Sequence, residues 1–220
     1  MRLTEKLYMV EAQGYSSNTY IVVGEKAFAI IDPGLPEHVE KVLSALENWG
    51  IREGECYIIC THMHYDHIGG AKLVKERLDG KLLIHENEKE YLENGDTYAT
   101  VALFFGVSRL EPIKCDTALK DGDIIDLGGV TLRIIHTPGH TIGSISIYVP
   151  EIYALITGDT IFENGAYGRT DLPTGDISLL INSLKKLKDI QASILCPGHG
   201  MAYKGDVRKV VEQALQYITE

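Results

Sequence analysis

Residues 61–67 read Thr-His-Met-His-Tyr-Asp-His and place three imidazoles and one carboxylate within six positions. They follow an apolar run at residues 57–60 that predicts a short buried strand. Divalent metals of intermediate softness bind this mixture of ligands, and one short run of chain does not readily wrap all four groups around a single tetrahedral ion. The stretch therefore predicts two adjacent metal sites. The alternative is that these histidines are ordinary surface or core residues that bind no metal. Three histidines at i, i+2 and i+5 argue against this alternative.

Two adjacent metal sites need more ligands than this stretch supplies. His140, Asp159 and His199 stand in matching contexts, because each follows an apolar, strand-like run and is directly preceded by a glycine. A site built from loops at one edge of packed sheets requires this recurrence. We therefore expect all three side chains to reach the cluster.

Short β-branched runs alternate with segments of helical period along the chain. Three pairs of such runs predict hairpins or strand pairs: residues 19–23 with 27–31, 124–127 with 130–135, and 144–149 with 153–157. Apolar residues at helical spacing predict helices at residues 36–49, 68–78, 177–187 and 207–217. Two halves in which strands precede helices predict two packed sheets with helices outside.

The segment at about residues 93–114 interrupts this alternation. It carries Tyr98, Phe104 and Phe105 without a clear strand pattern, so it predicts either a helix that packs these aromatics on the core or a lid. We expect the chain, residues 1–220, to form a single domain with this segment as an insertion.

The composition limits the classes of partner. Hydrophobic residues make up 45% of the 220-residue chain, which is enough to bury a sizeable core. The formal net charge is −10, from 31 acidic and 21 basic residues, so the average field repels nucleic acid. No run reaches the roughly 18 apolar residues that a membrane span requires. We therefore expect a small-molecule partner, with no nucleic acid and no membrane.

The cysteines and the first residues bear on the compartment. Cys56, Cys60, Cys115 and Cys196 form no CxxC pair and are too sparse for a disulfide scaffold. The first ten residues carry charges before any apolar run could form a signal peptide. These features predict a cytoplasmic protein.

The complete set of ligand candidates resembles the metallo-β-lactamase superfamily, whose pattern is HxHxDH followed by separate His, Asp and His ligands. Here the pattern is filled by His62, His64, Asp66, His67, His140, Asp159 and His199. The resemblance implies an α+β fold, a four-layer αββα sandwich with two divalent metal ions in a cleft along the sheet edges. It also implies that His62, His64 and His140 hold one ion, that Asp66, His67 and His199 hold the other, and that Asp159 bridges them.

Asp32 lies in the turn Ile31-Asp32-Pro33-Gly34, which also fits the family. The resemblance implies that this carboxylate supports the metal-binding loop from behind and orients it. A carboxylate that only caps its own turn is the alternative, and the residues alone favour neither.

The stretch after Asp159 is similar to the glyoxalase II branch of the superfamily and to persulfide dioxygenases. Arg169, Thr170 and Asp171 match the GRTD element of that branch. The planar fork of an arginine bonds both oxygens of a carboxylate, so Arg169 is our candidate for a substrate anchor. Asp171 is expected to support the site, and an internal Arg169–Asp171 ion pair that fixes the loop is the alternative.

The resemblance implies a metal-dependent hydrolase that cleaves a small acyl thioester by attack of a metal-bound hydroxide, in the manner of hydroxyacylglutathione hydrolases. Asp66 would orient the nucleophile as the catalytic residue while binding metal. A small anionic thioester with a 2-hydroxyacyl group is the expected substrate. Zinc is the first expectation for the two ions, and iron and manganese suit the same ligands. Only 20 residues follow Gly200, so we do not expect a helical glutathione-binding domain.

Three other functions fit parts of the pattern. A persulfide dioxygenase-like iron oxidoreductase shares the GRTD element, although a complete dinuclear ligand set favours hydrolysis. A phosphodiesterase, ribonuclease or lactonase could use the same fold, and an RNA substrate would need a basic track. A non-catalytic metal-binding scaffold would not need an open metal position.

Overall fold

The first half of the chain forms a mixed six-stranded sheet. The structure, a computed structural model, describes residues 1–219. The strands lie in chain order across the sheet: β1 Leu7–Val10, β2 Thr19–Val23, β3 Ala27–Ile31, β4 Glu55–Ile59, β5 Lys81–His85 and β6 Thr117–Leu119. β1 to β3 pair antiparallel and β3 to β6 run parallel. The loops after β3, β4 and β5 therefore open at the same edge.

The second half forms another six-stranded sheet. Its strands are β7 Ile124–Asp126, β8 Thr131–His136, β9 Ile145–Val149, β10 Ala154–Gly158, β11 Ile194–Pro197 and β12 Tyr203–Lys204, and they lie in the reverse of chain order. β8, β9 and β10 alternate in direction, and β11 runs parallel to β10. β8, β10 and β11 consequently end at one edge, where the chain continues to His140, Asp159 and His199.

The helices lie on the outer faces of the two sheets. They are α1 Val39–Asn48, α2 Tyr65–Ile68, α3 Ala71–Leu78, α4 Glu86–Asn94, α5 Ile177–Lys188 and α6 Val207–Thr219. The buried apolar side chains form three layers. One layer separates α1 and α3 from the first sheet, and another separates α5 and α6 from the second. The central layer joins the two sheets through residues such as Ile31, Ile134 and Ile147.

This arrangement confirms the predicted α+β sandwich with αββα layers. The predicted hairpins around Gly24 and Gly128 are present, as are the helices at residues 39–48, 71–78, 177–188 and 207–219. Among residues 1–219, no helix combines the length and the apolar character that crossing a membrane requires.

The pattern missed β1, β6 and α4. The two strands span only four and three residues, too few to show alternation. The helix reads Glu-Asn-Glu-Lys-Glu-Tyr-Leu-Glu-Asn and buries only Glu88 and Leu92, so its sequence carries little apolar period.

The segment at residues 93–114 does not pack its aromatic residues on the core, and that expectation is wrong. It contains one 3-10 turn, Ala102–Phe105, between left-handed residues Val101 and Gly106. Tyr98 is 70% exposed and Phe104 is 80% exposed, whereas the neighbouring Val101 and Ala102 are buried. Whether this segment closes over the site as a lid stays a prediction.

Candidate metal centre

The segment after β4 carries four of the ligand candidates, two before the short helix α2 and two within it. His62 and His64 precede α2, whereas Asp66 and His67 lie within its single turn. Met63 points away from the histidines into the apolar layer under the helices and is fully buried. The alternation of Met63 with His62 and His64 therefore turns both imidazoles to the opposite side, and α2 adds the other two ligand candidates there.

The second sheet brings the remaining three candidates to the same place. The Asp159 carboxylate lies 3.4 Å from His67 Nε2, 3.7 Å from His140 Nε2 and 3.6 Å from His199 Nε2. The His140 ring centroid is 4.7 Å from that of His62 and 4.6 Å from that of His64. The predicted convergence across the two sheets is therefore present in the structure.

Ligand atoms form three overlapping groups in which every pair of atoms lies within 4.8 Å. The groups are His62, His64 and His140; Asp66, His67 and His199; and His62, His67 and Asp159. The first two are the trios assigned to separate metals by the family resemblance. Asp159 lies between them, in the position that a bridging carboxylate would take.

Two glycines make this convergence sterically feasible. A Cβ at Gly198 would lie 2.3 Å from Asp159 Oδ1 and 2.7 Å from His67 Cε1. A Cβ at Gly168 would lie 2.2 Å from the Asp159 carbonyl oxygen. Any side chain at either position would therefore push into the cluster.

Hydrogen bonds hold the δ nitrogens of three imidazoles. Thr61 Oγ1 donates to Asp32 Oδ2 at 2.7 Å, which leaves its oxygen free to accept from His62 Nδ1 at 3.1 Å. His67 Nδ1 donates to Asp32 Oδ2 at 2.9 Å. His140 Nδ1 donates to the backbone carbonyl of Arg169 at 2.7 Å. In a neutral imidazole, a proton on the δ nitrogen leaves the ε nitrogen unprotonated and able to bind a metal.

Asp32 also holds the start of the loop, because its Oδ1 accepts from the Thr61 backbone N–H at 2.7 Å. It is 1% exposed and has a left-handed backbone, with φ of 53°. A non-glycine residue in this region is strained, and the bonds to Thr61 and His67 offset that cost. The structure thus places Asp32 behind the cluster, where the family resemblance puts it.

Burial keeps the imidazoles of one trio neutral. Desolvation lowers the pKa of His64 to about 3, and it lowers the pKa of His62 well below its ordinary value. It also lowers the pKa of His140, against the opposing effect of Asp159. Metals bind the neutral imidazole, so this trio is ready to bind at neutral pH.

The second trio is rich in negative charge. Burial by itself lowers the pKa of His67, but Asp66, Asp159 and Asp32 together raise it well above its ordinary value. Burial likewise opposes ionisation of Asp66, and His67 and His199 nevertheless hold its pKa below the usual range. Three carboxylates around one imidazole need a balancing positive charge, which a divalent cation supplies.

The unpaired buried atoms of the cluster are a second reason why this donor set fits divalent metals. Five buried atoms of the cluster have no hydrogen-bond partner within residues 1–219: Nε2 of His62, His64, His67 and His140, and Oδ1 of Asp159. An unpaired buried polar atom costs about 1–3 kcal/mol, and these five point into one space. Ions coordinated there would satisfy them together.

The structure places Arg169 and Asp171 away from the ligand atoms. The guanidinium donates two hydrogen bonds to the Asp171 carboxylate, at 2.9 and 2.7 Å, and both side chains are 68% exposed. Arg169 lines the cavity beside the cluster, while Asp171 contacts Arg169 rather than a ligand candidate. The ion pair expected as the alternative is present.

Sequence patterns missed two supporting residues. Thr61 links His62 to Asp32, as described above. Glu88, fully buried on α4, accepts a hydrogen bond from the Gly143 N–H at 3.0 Å, and burial raises its pKa to about 7. A glutamate in a highly charged segment gives no sign that it is buried, so only the packing of α4 could reveal it.

Three other histidines have no part in the cluster. His136 stacks on His85 at 4.0 Å between ring centroids and lies 2.9 Å from the Ile142 carbonyl oxygen, which agrees with a structural role. His38 and His85 are buried outside the cluster, at 0% and 3% exposed.

Comparison with known proteins agrees with this geometry. The model of the metallo-beta-lactamase superfamily matches residues 12–199. A probable metallo-hydrolase of Methanocaldococcus jannaschii is 42% identical over 191 residues, which cover 85% of this chain and 89% of the relative. A hydroxyacylglutathione hydrolase of Haemophilus influenzae is 34% identical over 179 residues, which cover 80% of this chain and 81% of the relative.

Among solved structures, a protein crystallised in a di-iron-bound form superposes with a TM-score of 0.75 at 28% identity, covering 96% of each chain. These likenesses confirm the resemblance inferred from the ligand pattern, including its glyoxalase II-like branch. The fold, the order of the ligand candidates and their convergence therefore have one explanation: this chain belongs to the metallo-β-lactamase superfamily of metal-dependent hydrolases and related proteins.

Proposed function

We propose that the protein hydrolyses small acyl thioesters with the help of two divalent metal ions. The observation that carries this proposal is the pair of ligand trios that meet at Asp159. A relative that is 34% identical is named a hydroxyacylglutathione hydrolase, and acylglutathiones are thioesters. A single-iron oxygenase site would need only one of the two trios.

The trio His62, His64 and His140 would hold one ion, and Asp66, His67 and His199 would hold the other. When bound, such ions lower the pKa of water toward neutrality and polarise a carbonyl group. Zinc is our first assignment, and iron serves the same donor set, as the di-iron-bound neighbour illustrates.

Asp66 is the residue to which we assign the orientation of the attacking water. Its Oδ2 accepts a hydrogen bond from His199 Nε2 at 3.0 Å, and its carboxylate lines the cavity beside the cluster. An ionised Asp66 accepts hydrogen bonds and donates none. A water molecule beside it would therefore point a hydrogen at the carboxylate, which would fix its direction. The departing thiolate needs no proton donor, because a free thiol has a pKa of about 8.5.

Arg169 would anchor an anionic part of the substrate at the mouth of the cavity. Its guanidinium has five N–H donors, and Asp171 accepts from two of them. The remaining donors are free to meet a carboxylate, while Asp171 fixes the orientation of the side chain. The formal charge of −10 still argues against nucleic acid as a substrate.

We also propose a reducing, cytoplasmic environment. Cys56, Cys60, Cys115 and Cys196 are all buried and unpaired. Burial raises the pKa of the Cys56 thiol to about 12, so this cysteine is kept as an unreactive thiol.

The test is metal analysis of the purified protein beside an anaerobic thioester hydrolysis assay. We expect about two metal ions per chain and release of free thiol without oxygen. Asp159→Ala should lose both metal and turnover, and Asp189→Ala, an exposed carboxylate at the end of α5, is the matched control. Oxygen consumption with a glutathione persulfide, in place of thioester cleavage, would contradict the hydrolase proposal.

A further inference from the structure

A cavity of about 310 Å³ opens directly beside the ligand cluster. His64, Asp66, His140 and Asp159 bound it on one side. A molecule that reaches the metal-binding atoms must therefore also fill this space. The chemistry of the other walls consequently selects the group that is attached to the reacting carbonyl.

Those other walls are apolar and largely aromatic. They comprise Val101, Phe104, Phe105, Phe162, Tyr167 and Leu172. The first three come from the 3-10 turn and the residue before it, in the half of the chain that forms the first sheet. The rest follow β10 of the second sheet. Two separate segments thus face each other with apolar side chains across one opening.

The Phe104 side chain is the most telling of these residues. It is 80% exposed and is one of the residues that line the cavity. An exposed aromatic ring gains about 1.5–3 kcal/mol if an apolar surface covers it, equivalent to roughly 10- to 100-fold in affinity. The wall is therefore apolar surface that a ligand would cover.

The charged side chains around the cavity do not oppose the selection of an apolar group. Arg169 is the one arginine or lysine among the residues that line the cavity, and its guanidinium donates two hydrogen bonds to Asp171 at the exposed mouth. The carboxylates Asp66 and Asp159 belong to the metal cluster. Among the apolar and aromatic residues of the other walls, only Tyr167 carries a hydroxyl.

We infer that the acyl group of the substrate is apolar and bulky, of the arylacyl class such as phenylacetyl, rather than a short 2-hydroxyacyl group. The inference rests on the proposed thioester hydrolysis and refines its substrate class. Size agrees with it, because an apolar cavity of about 150 Å³ accommodates a benzene molecule. The volume here holds a ring together with the carbonyl group that must reach the metals.

The experiment compares phenylacetyl, acetyl and lactoyl thioesters of one neutral thiol, N-acetylcysteamine, with the metal-loaded protein. We expect kcat/KM for the phenylacetyl ester to exceed both others by about 10- to 100-fold. Phe104→Ala, whose side chain is too exposed to support the fold, should reduce that preference by about 10-fold. Tyr98→Ala, 70% exposed in the same segment but outside the cavity wall, should leave the preference unchanged.

Binding of the corresponding amides, in which N–H replaces sulfur, separates this inference from the proposed reaction. If no thioester is cleaved but the phenylacetyl amide binds tighter than the acetyl amide and Phe104→Ala removes the difference, the apolar selection stands and the hydrolase proposal fails. If thioesters are cleaved with equal efficiency, or the lactoyl ester is preferred, the inference is overturned and the hydrolase proposal stands.

Discussion

Thr61 is the residue that connects His62, one of the ligand candidates, to the supporting carboxylate of Asp32. Its hydroxyl lies 2.7 Å from Asp32 Oδ2 and 3.1 Å from His62 Nδ1, so one hydrogen-bonded chain fixes the proton on the δ nitrogen of His62. Partners of this kind typically change metal affinity by 10- to 100-fold.

We therefore expect Thr61→Val to weaken metal binding by about 10-fold, because valine keeps the shape of threonine but not its hydroxyl. Thr61→Ser should restore binding. Competition with a chromophoric chelator measures the affinity without any assay of activity. Equal affinities of the valine variant and the original protein would show that Thr61 does not position His62.

Arg169 gives a second test at the level of one side chain. Arg169→Ala should raise KM about 10-fold for a thioester whose thiol carries a carboxylate and leave KM almost unchanged for a neutral one, because the loss is one charge-assisted contact. Asp171→Asn should lower KM for the anionic thiol, since it releases donors and charge on Arg169. Steady-state kinetics with both substrates measures this difference, and equal effects on the two thiols would remove the anchor.

Sequence patterns named the ligand candidates that the structure brings together and, among their supports, Asp32 but not Thr61 or Glu88. The run at residues 61–67 concentrates imidazoles that have few other uses, so its residues are recognisable one by one. Thr61 and Glu88 are ordinary residue types whose importance lies in a neighbour distant in the chain. Asp171 matched a family element, and the folded loop shows that it forms the ion pair with Arg169 that the sequence left as the alternative.

At the scale of elements, α4 contributes a feature that no periodicity predicts. Glu88 is fully buried, and its Oε1 accepts from the Gly143 N–H in the loop that carries His140. Burial raises the pKa of Glu88 from its ordinary 4.5 to about 7. The folded protein therefore binds one more proton than the unfolded chain between these two values, and the free energy of unfolding falls as pH rises through that interval.

We expect Glu88→Gln to be more stable than the original protein at pH 8, by up to about 3 kcal/mol, because glutamine never ionises. The difference should shrink as pH falls toward 4.5, where Glu88 is protonated in both states. Urea unfolding of the metal-saturated protein at several pH values measures it. Glu90→Gln, exposed on the same helix, is the control and should show no such trend.

Elements were predictable where one face is buried and the run is long enough. The helices α5 and α6, with 12 and 13 residues, bury regular apolar stripes, so their periods stand out. The strand β6 has three residues and α4 buries a carboxylate, so neither shows the pattern that its class normally has. The prediction that residues 93–114 pack their aromatic residues on the core was wrong for another reason. Phe104 is exposed and lines the cavity instead.

At the scale of the molecule, the ligand cluster joins the two sheets at one edge. The loop after β4 supplies four candidates, and loops of the second sheet supply three. The central apolar layer holds the sheets together elsewhere, but at this edge Asp32, Asp66 and Asp159 crowd around the buried His67. Without cations these like charges would oppose the approach of the two halves, and we expect bound cations to make the same charges hold the halves together.

Removal of the metals should consequently destabilise the whole fold rather than the loops alone. Ligands present at about 100 times their dissociation constant stabilise a protein by about 2.7 kcal/mol, and a change of 1 kcal/mol moves the Tm of a domain of this size by about 2–4 °C. We therefore expect a chelator to lower Tm by about 5–10 °C in a calorimetric scan, and stoichiometric zinc to restore it. Asp159→Ala, which lacks the shared carboxylate, should respond much less to the chelator. If chelation removes the metals and leaves Tm unchanged, the apolar layer alone determines the stability of the sandwich, and the cluster serves chemistry without joining the sheets.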